Sequence, residues 1–234
     1  MAGSALLALD DDPEAIGGDP LAYLATFLAF AVAAGLVYLL LRFPEWYVVD
    51  AIGILTAAGV TAILGISFGI LPAFLLLIAL AIYDAWAVYR TKHMITLADE
   101  LTSQRLPILL VIPKKAGYSF REQKSLKEQV EAGEEREAMF MGLGDIIIPG
   151  ILAVSAFTFL TGPEFDSVIL GISANLFIAI MTMVGTLAGF VVLMRFVMSG
   201  NPQAGLPLLN GGAIAGYLLS FGVVFGSSHF FGLT

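Results

Sequence analysis

The chain has 234 residues, 59% of them hydrophobic and only 13% charged, with a net charge of −8 and a mean hydropathy of +0.92. A soluble domain carries about a quarter charged residues, so most of this chain does not face water. Cysteine is absent and His93 and His229 are the only histidines, which excludes a disulfide framework, thiolate chemistry and a histidine- or cysteine-rich metal site; the acidic balance argues against a nucleic-acid partner.

At the start, the apolar run Ala5-Leu6-Leu7-Ala8-Leu9 is too short for a signal-peptide core, and no basic residue precedes it. Six later stretches are long and apolar enough to cross a bilayer. They lie at about 21–42, 47–66, 70–90, 139–160, 168–194 and 204–225. Residues 91–138 interrupt them with eight Lys/Arg and eight Asp/Glu, dividing the spans three and three. Within this insert, Thr91 to about Gln104 is expected to extend the third helix. Pro107-Ile108-Leu109-Leu110-Val111-Ile112-Pro113 is a β-prone run bounded by prolines. Phe120 to Ala138 is charged and reads as a solvated linker, helical in part. The expected organisation is an all-α polytopic membrane protein forming a single domain over 1–234. An external segment 1–20 precedes three helices over 21–90, a long cytoplasmic loop over 91–138, three helices over 139–225 and an external tail over 226–234.

The orientation follows from the basic residues. With six spans, all eleven Lys/Arg, from Arg42 and Arg90 through the loop to Arg195, fall on one side. The other side has none and carries acids such as Asp10, Asp12, Glu164 and Asp166. Basic residues stay in the cytoplasm, so the loop is expected there and both chain ends outside.

Two acids sit inside the apolar stretches: Asp84 in AIYDAWAVYR and Asp145 in MGLGDIIIPG. Ionisable residues at such positions are costly and read as functional. Asp84 precedes Arg90 by six residues and Asp145 follows Glu137 by eight, so each lies roughly 9–12 Å inside the cytoplasmic boundary. The two spans run antiparallel, which puts the carboxylates at one depth. Two carboxylates in a low dielectric do not both ionise readily and tend to share a proton. The ionised member can then activate water, and the protonated one can polarise a carbonyl. Gly142 and Gly144 give the backbone before Asp145 freedom to leave helical geometry. Pro149 removes a helical donor four residues after it. Irregular backbone at this depth is tolerated where it lines a watery cavity.

Tyr83-Asp84 and Gly142-Leu143-Gly144-Asp145 resemble the paired motifs of the presenilin and signal peptide peptidase family of intramembrane aspartyl proteases. That family's third motif, Pro-Ala-Leu, falls at Ala204-Gly205-Leu206, where only the leucine matches; Pro207 follows, as in presenilins. The runs PEWYVVD, VYRTKHMITLAD and NPQAGLPLLNGGAIAG are similar to archaeal presenilin homologues. The resemblance covers residues 35 to 220 or so. It implies a nine-helix fold of which these six spans are the last six, with Ala5–Leu9 as the tail of the third. It further implies an aspartic endopeptidase that needs no cofactor and hydrolyses peptide bonds in transmembrane segments. Asp84 and Asp145 would be the catalytic dyad, with Tyr83 positioning Asp84. Gly142, Leu143 and Gly144 would shape the cleft, and Gly205, Leu206 and Pro207 would contact substrate. The run Pro107–Pro113 would pair with an extended substrate. Expected partners are transmembrane-helix substrates and the lipid bilayer of a prokaryotic or archaeal cell, with a homo-oligomer as a further candidate.

Competing readings are plainer. Asp50 reads as an interfacial residue, His93 and His229 as boundary residues. Gly211, Gly212 and Gly216 read as close-packing positions, and Leu206-Pro207 as the start of a helix. A proton-coupled transporter or channel also uses paired acids, but it predicts an internal repeat, and the contexts AIYDAW and GLGDII are unalike. A non-catalytic membrane scaffold would survive loss of both aspartates.

Overall fold

The computed structural model describes residues 20–43, 45–91, 109–113, 138–161, 168–169, 171–198 and 204–226. The expected helical extension from Thr91 to Gln104 and the linker from Phe120 lie, but for their end residues Thr91 and Ala138, outside the described residues, as do His93 and His229. The chain forms two compact units, Met1–Pro44 and Glu45–Thr234.

The first unit contains helix α1 (Pro20–Arg42). Its apolar side chains, among them Leu21, Phe27, Phe30 and Leu41, run around its whole circumference, the all-round apolar pattern of a membrane span. The guanidinium of Arg42 lies 5.6 Å from the centroid of the Phe43 ring, a cation–π distance.

In the second unit, α2 (Trp46–Ser67) starts at Glu45, whose carbonyl accepts from the Val48 and Val49 N–H groups at 3.0 Å. Phe68 is extended and ends it. Only Phe68 and Gly69 separate α2 from α3 (Ile70–Trp86). Pro72 falls in the first turn of α3, where its missing N–H costs nothing. A π-helical turn, Ala87–Thr91, continues α3. Strands β1 (Leu109–Pro113) and β2 (Ala138–Gly142) pair antiparallel, with Leu109 opposite Gly142 and Val111 opposite Phe140. Helix α4 is Gly144–Phe159. A small hairpin of β3 (Val168–Ile169) and β4 (Ile172–Ser173) follows, with Gly171 at φ +82° in the turn, a conformation glycine takes without strain. Helices α5 (Ala174–Met198) and α6 (Gly205–Phe225) complete the unit.

Among the described residues, five helices are long and apolar enough to cross a membrane, and α4 is apolar but shorter, with 16 residues. The fourth expected span thus starts at Gly144 rather than 139, because residues 138–142 pair with the β-prone run 109–113. The fifth starts at Ala174 rather than 168, because β3 and β4 fold back on themselves.

The core is built around α6. Ala213, Tyr217 and Phe221 of α6 pack with Ile70, Phe74 and Leu77 of α3, Ile151, Leu152 and Ala156 of α4, and Ile178 of α5. Tyr217 meets Phe74 edge-on at 5.1 Å and stacks on Phe221 at 5.7 Å. Helices α5 and α6 approach through glycine. A Cβ on Gly185 would lie 2.9 Å from Gly216 Cα, and one on Gly212 would lie 3.2 Å from the Gly189 nitrogen. Gly65 of α2 faces Val154 of α4, and Gly150 of α4 faces Thr61 of α2, in the same manner. Ser155 of α4 donates to the Phe68 carbonyl at 2.8 Å, tying α4 to the α2–α3 turn.

Candidate active site

Three helix ends meet. Asp84 lies in the last turn of α3, Asp145 in the first turn of α4, and Gly205-Leu206 open α6. The first N–H groups of a helix have no partner within it, and Ala204 offers α6 no side-chain cap. Asp84 takes that part from another helix. Its Oδ2 accepts from the Leu206 N–H at 3.0 Å, and the Gly205 N–H is also bonded to its carboxylate. The partial positive charge of a helix start favours an anion there.

Asp145 approaches the same spot from the other side. Its Oδ2 lies 3.2 Å, and its Cγ 3.6 Å, from the position a Cβ on Gly205 would take. The two carboxylates are within electrostatic reach of each other, and both are partly buried. The Leu143 carbonyl accepts from Ile146 and Ile147 as α4 begins, and Leu143 itself is buried. Among the described residues, no three His, Cys, Asp or Glu side chains gather as a metal site.

A family profile described as signal-peptide peptidase, presenilin aspartyl protease matches residues 19–226. The chain belongs to that family. A solved structure of a presenilin family intramembrane aspartate protease superposes with a TM-score of 0.53 at 39% sequence identity, over 87% of this chain and 63% of that one. The chain therefore spans less than two thirds of that relative's length. No curated protein matches at comparable stringency. As a presenilin-family chain with several membrane-length helices, it is an integral membrane protein.

Other residues singled out from the sequence are brought to the site unequally. Gly142 ends β2, with its absent Cβ 3.8 Å from Asp145 Oδ2, and Gly144 has nothing within 4 Å. Neither has a positive φ; what they contribute is room beside Asp145 rather than unusual backbone. Pro149 is buried inside α4. Leu206 and Pro207 are partly buried in the first turn of α6. Tyr83 is 64% exposed and lies on the outer surface of α3. Gly212 and Gly216 pack closely, as expected of small residues between membrane helices, whereas Gly211, expected to do the same, faces open space.

Two polar residues gain partners that the sequence did not reveal. Asp50 Oδ1 accepts the Val111 N–H of β1 at 2.9 Å. Asn210, 1% exposed in α6, donates to the Leu77 carbonyl of α3 at 2.9 Å. For Asp50 the signal was its position, a third acid within an apolar span. For Asn210 it was the only amide in GLPLLNGGAIAG.

Proposed function

We propose that this protein is an intramembrane aspartyl endopeptidase that hydrolyses peptide bonds in transmembrane segments of membrane proteins, with Asp84 and Asp145 as its dyad. The observation that carries the reading is the convergence of both carboxylates on the Gly205–Leu206 backbone: a 3.0 Å hydrogen bond from Leu206 to Asp84, and a 3.2 Å approach of Asp145 to the empty Cβ position of Gly205.

The chemistry follows from two acids sharing one proton. The ionised carboxylate takes a proton from water as the water oxygen attacks the scissile carbonyl carbon. The protonated carboxyl donates to the carbonyl oxygen. The resulting tetrahedral diol collapses as a proton passes to the leaving amine, and the shared proton is restored. The two Leu206 and Gly205 N–H groups hold Asp84 in place, leaving Asp145 beside the open space of Gly142, Gly144 and Gly205. Gly142, Leu143, Gly144, Gly205, Leu206 and Pro207 form the substrate-contacting surface. The β1–β2 hairpin, whose second strand ends three residues before Asp145, offers main-chain pairing to an unwound substrate. In the cell, the loop 91–138 is cytoplasmic and both ends external, as the basic residues indicate.

The test is incubation of the detergent-solubilised protein with a helical transmembrane peptide, with and without a hydroxyl-isostere transition-state analogue. Cleavage that the analogue suppresses and that Asp84→Asn and Asp145→Asn each lower by about a thousandfold supports the dyad. Substantial cleavage by either purified mutant refutes it.

A further inference from the structure

We propose that Asp50 is a positioning residue that pins the β1–β2 hairpin to α2 and thereby sets the register in which a substrate strand meets Asp145. The anchoring stands on geometry alone; its effect on cleavage rests on the protease reading above.

Asp50 is the fifth residue of α2, and its Oδ1 accepts the Val111 N–H at 2.9 Å across a separation of 61 residues. Val111 is 1% exposed, at the centre of β1 and opposite Phe140 of β2. An N–H given to Asp50 is not given to β2. Val111–Phe140 is therefore a pair without ladder bonds, and the bonds run through Leu110–Met141 and Ile112–Met139, because the two kinds alternate in an antiparallel ladder. The outer edge of β1 is then closed to another strand: Asp50 covers its middle, and Pro113 has no N–H to offer. Among the described residues, the edge left to a substrate belongs to β2, at Ala138, Phe140 and Gly142. The described part of the run Pro107–Pro113, β1, which the sequence suggested as the substrate-pairing edge, instead serves as the tether.

The register consequence follows from the period of a strand. Moving β1 by one residue would turn the Val111 N–H away from Asp50, so a single carboxylate selects one alignment. Hydrogen bonds to ionised groups are the stronger kind, which gives a partly buried acid in an apolar span a use other than chemistry. Gly142, at the end of the free edge, is three residues from Asp145. A substrate strand aligned on β2 has its scissile bond aligned in the same act.

The experiment compares the full chain with D50L and D50N. Leucine is close to aspartate in shape but lacks an acceptor, whereas asparagine keeps a carbonyl oxygen that can accept the same N–H. Amide exchange of segments 109–113 and 138–142 is followed by mass spectrometry in detergent, each variant also carrying D145N so that no proteolysis intervenes. D50L is expected to speed exchange at Val111 about tenfold or more, and D50N to stay near the parent. On a transmembrane peptide, D50L spreads cleavage over neighbouring bonds and raises KM more than it lowers kcat, and D50N restores a single preferred position. Unchanged exchange in D50L, or D50N exchanging like D50L, overturns the anchoring. Unchanged cleavage positions in a D50L protein that has lost protection overturn the register role. A parent protein that cleaves nothing sinks the protease reading instead, while the exchange result still decides whether Asp50 tethers the hairpin.

Discussion

Gly205 is where both carboxylates converge, and it stands where the family motif has alanine. A Cβ there lies 3.2 Å from Asp145 Oδ2 and 3.6 Å from Leu193 Cδ2, so a methyl already presses on the carboxylate, and a larger side chain displaces the carboxylate or the leucine. Gly205→Leu is expected to lower kcat by at least about tenfold while the helical circular dichroism and melting temperature stay near wild type, since the first turn of α6 accepts leucine without backbone strain. A peptide-cleavage assay beside a melting curve checks both halves. Asp84→Asn differs in kind: its carboxamide oxygen still accepts the Leu206 N–H, so the helix ends stay joined while the titrating proton is gone. At this scale the sequence was most informative about Asp84 and Asp145, because an acid in an apolar run stands out by itself. The motif assigned Tyr83 to positioning Asp84, but the side chain's outward orientation depends on how α3 is turned about its axis, which the sequence does not give.

Among the elements, the α5–α6 contact depends on hydrogen standing where side chains would be. A Cβ on Gly212 or Gly185 would collide with the facing backbone, whereas Gly211 meets nothing within 4 Å. Gly212→Val is expected to destabilise the protein by about 1–3 kcal/mol through overpacking. Gly211→Ala should stabilise it by up to about 1 kcal/mol through helix propensity. Thermal denaturation in detergent separates adjacent residues that composition treats alike. Asn210 ties α6 to α3 one turn beyond Leu206, yet its Oδ1 is buried without a partner among the described residues. Asn210→Leu removes that orphaned oxygen, so its melting temperature should match or exceed wild type, while kcat falls several-fold as the tie that holds Leu206 against Asp84 is lost. The spans at 47–66, 70–90 and 204–225 were legible because hydropathy is a local property. The starts of the fourth and fifth spans were not: apolar strand and apolar helix look the same in a short run, and pairing of 138–142 with 109–113 decides between them.

For the whole molecule, the shared-proton mechanism requires one acid and one base at once. Activity should fall toward low pH, where both carboxyls are protonated and no base remains, and toward high pH, where both are ionised and no acid remains. A bell-shaped profile of kcat/KM measures this; a profile that rises to a plateau would contradict a two-carboxylate mechanism. The absence of cysteine makes orientation directly measurable. Single cysteines introduced in loop 91–138 should react with an impermeant maleimide only from the cytoplasmic side, and those in 1–20 only from outside.

The run of apolar residues along the sequence determined that this is a membrane protein, roughly where its helices cross, and that Asp84 and Asp145 sit within them, since each of these follows from the cost of placing a residue in hydrocarbon. Tertiary structure decided which distant groups meet: Leu206 with Asp84, Val111 with Asp50, Asn210 with Leu77. The reason is that lipid and protein core are both apolar, so these helices are hydrophobic all round and carry no stripe to mark the face that turns inward. Rotation about each helix axis, and with it every contact between helices, is set only by packing.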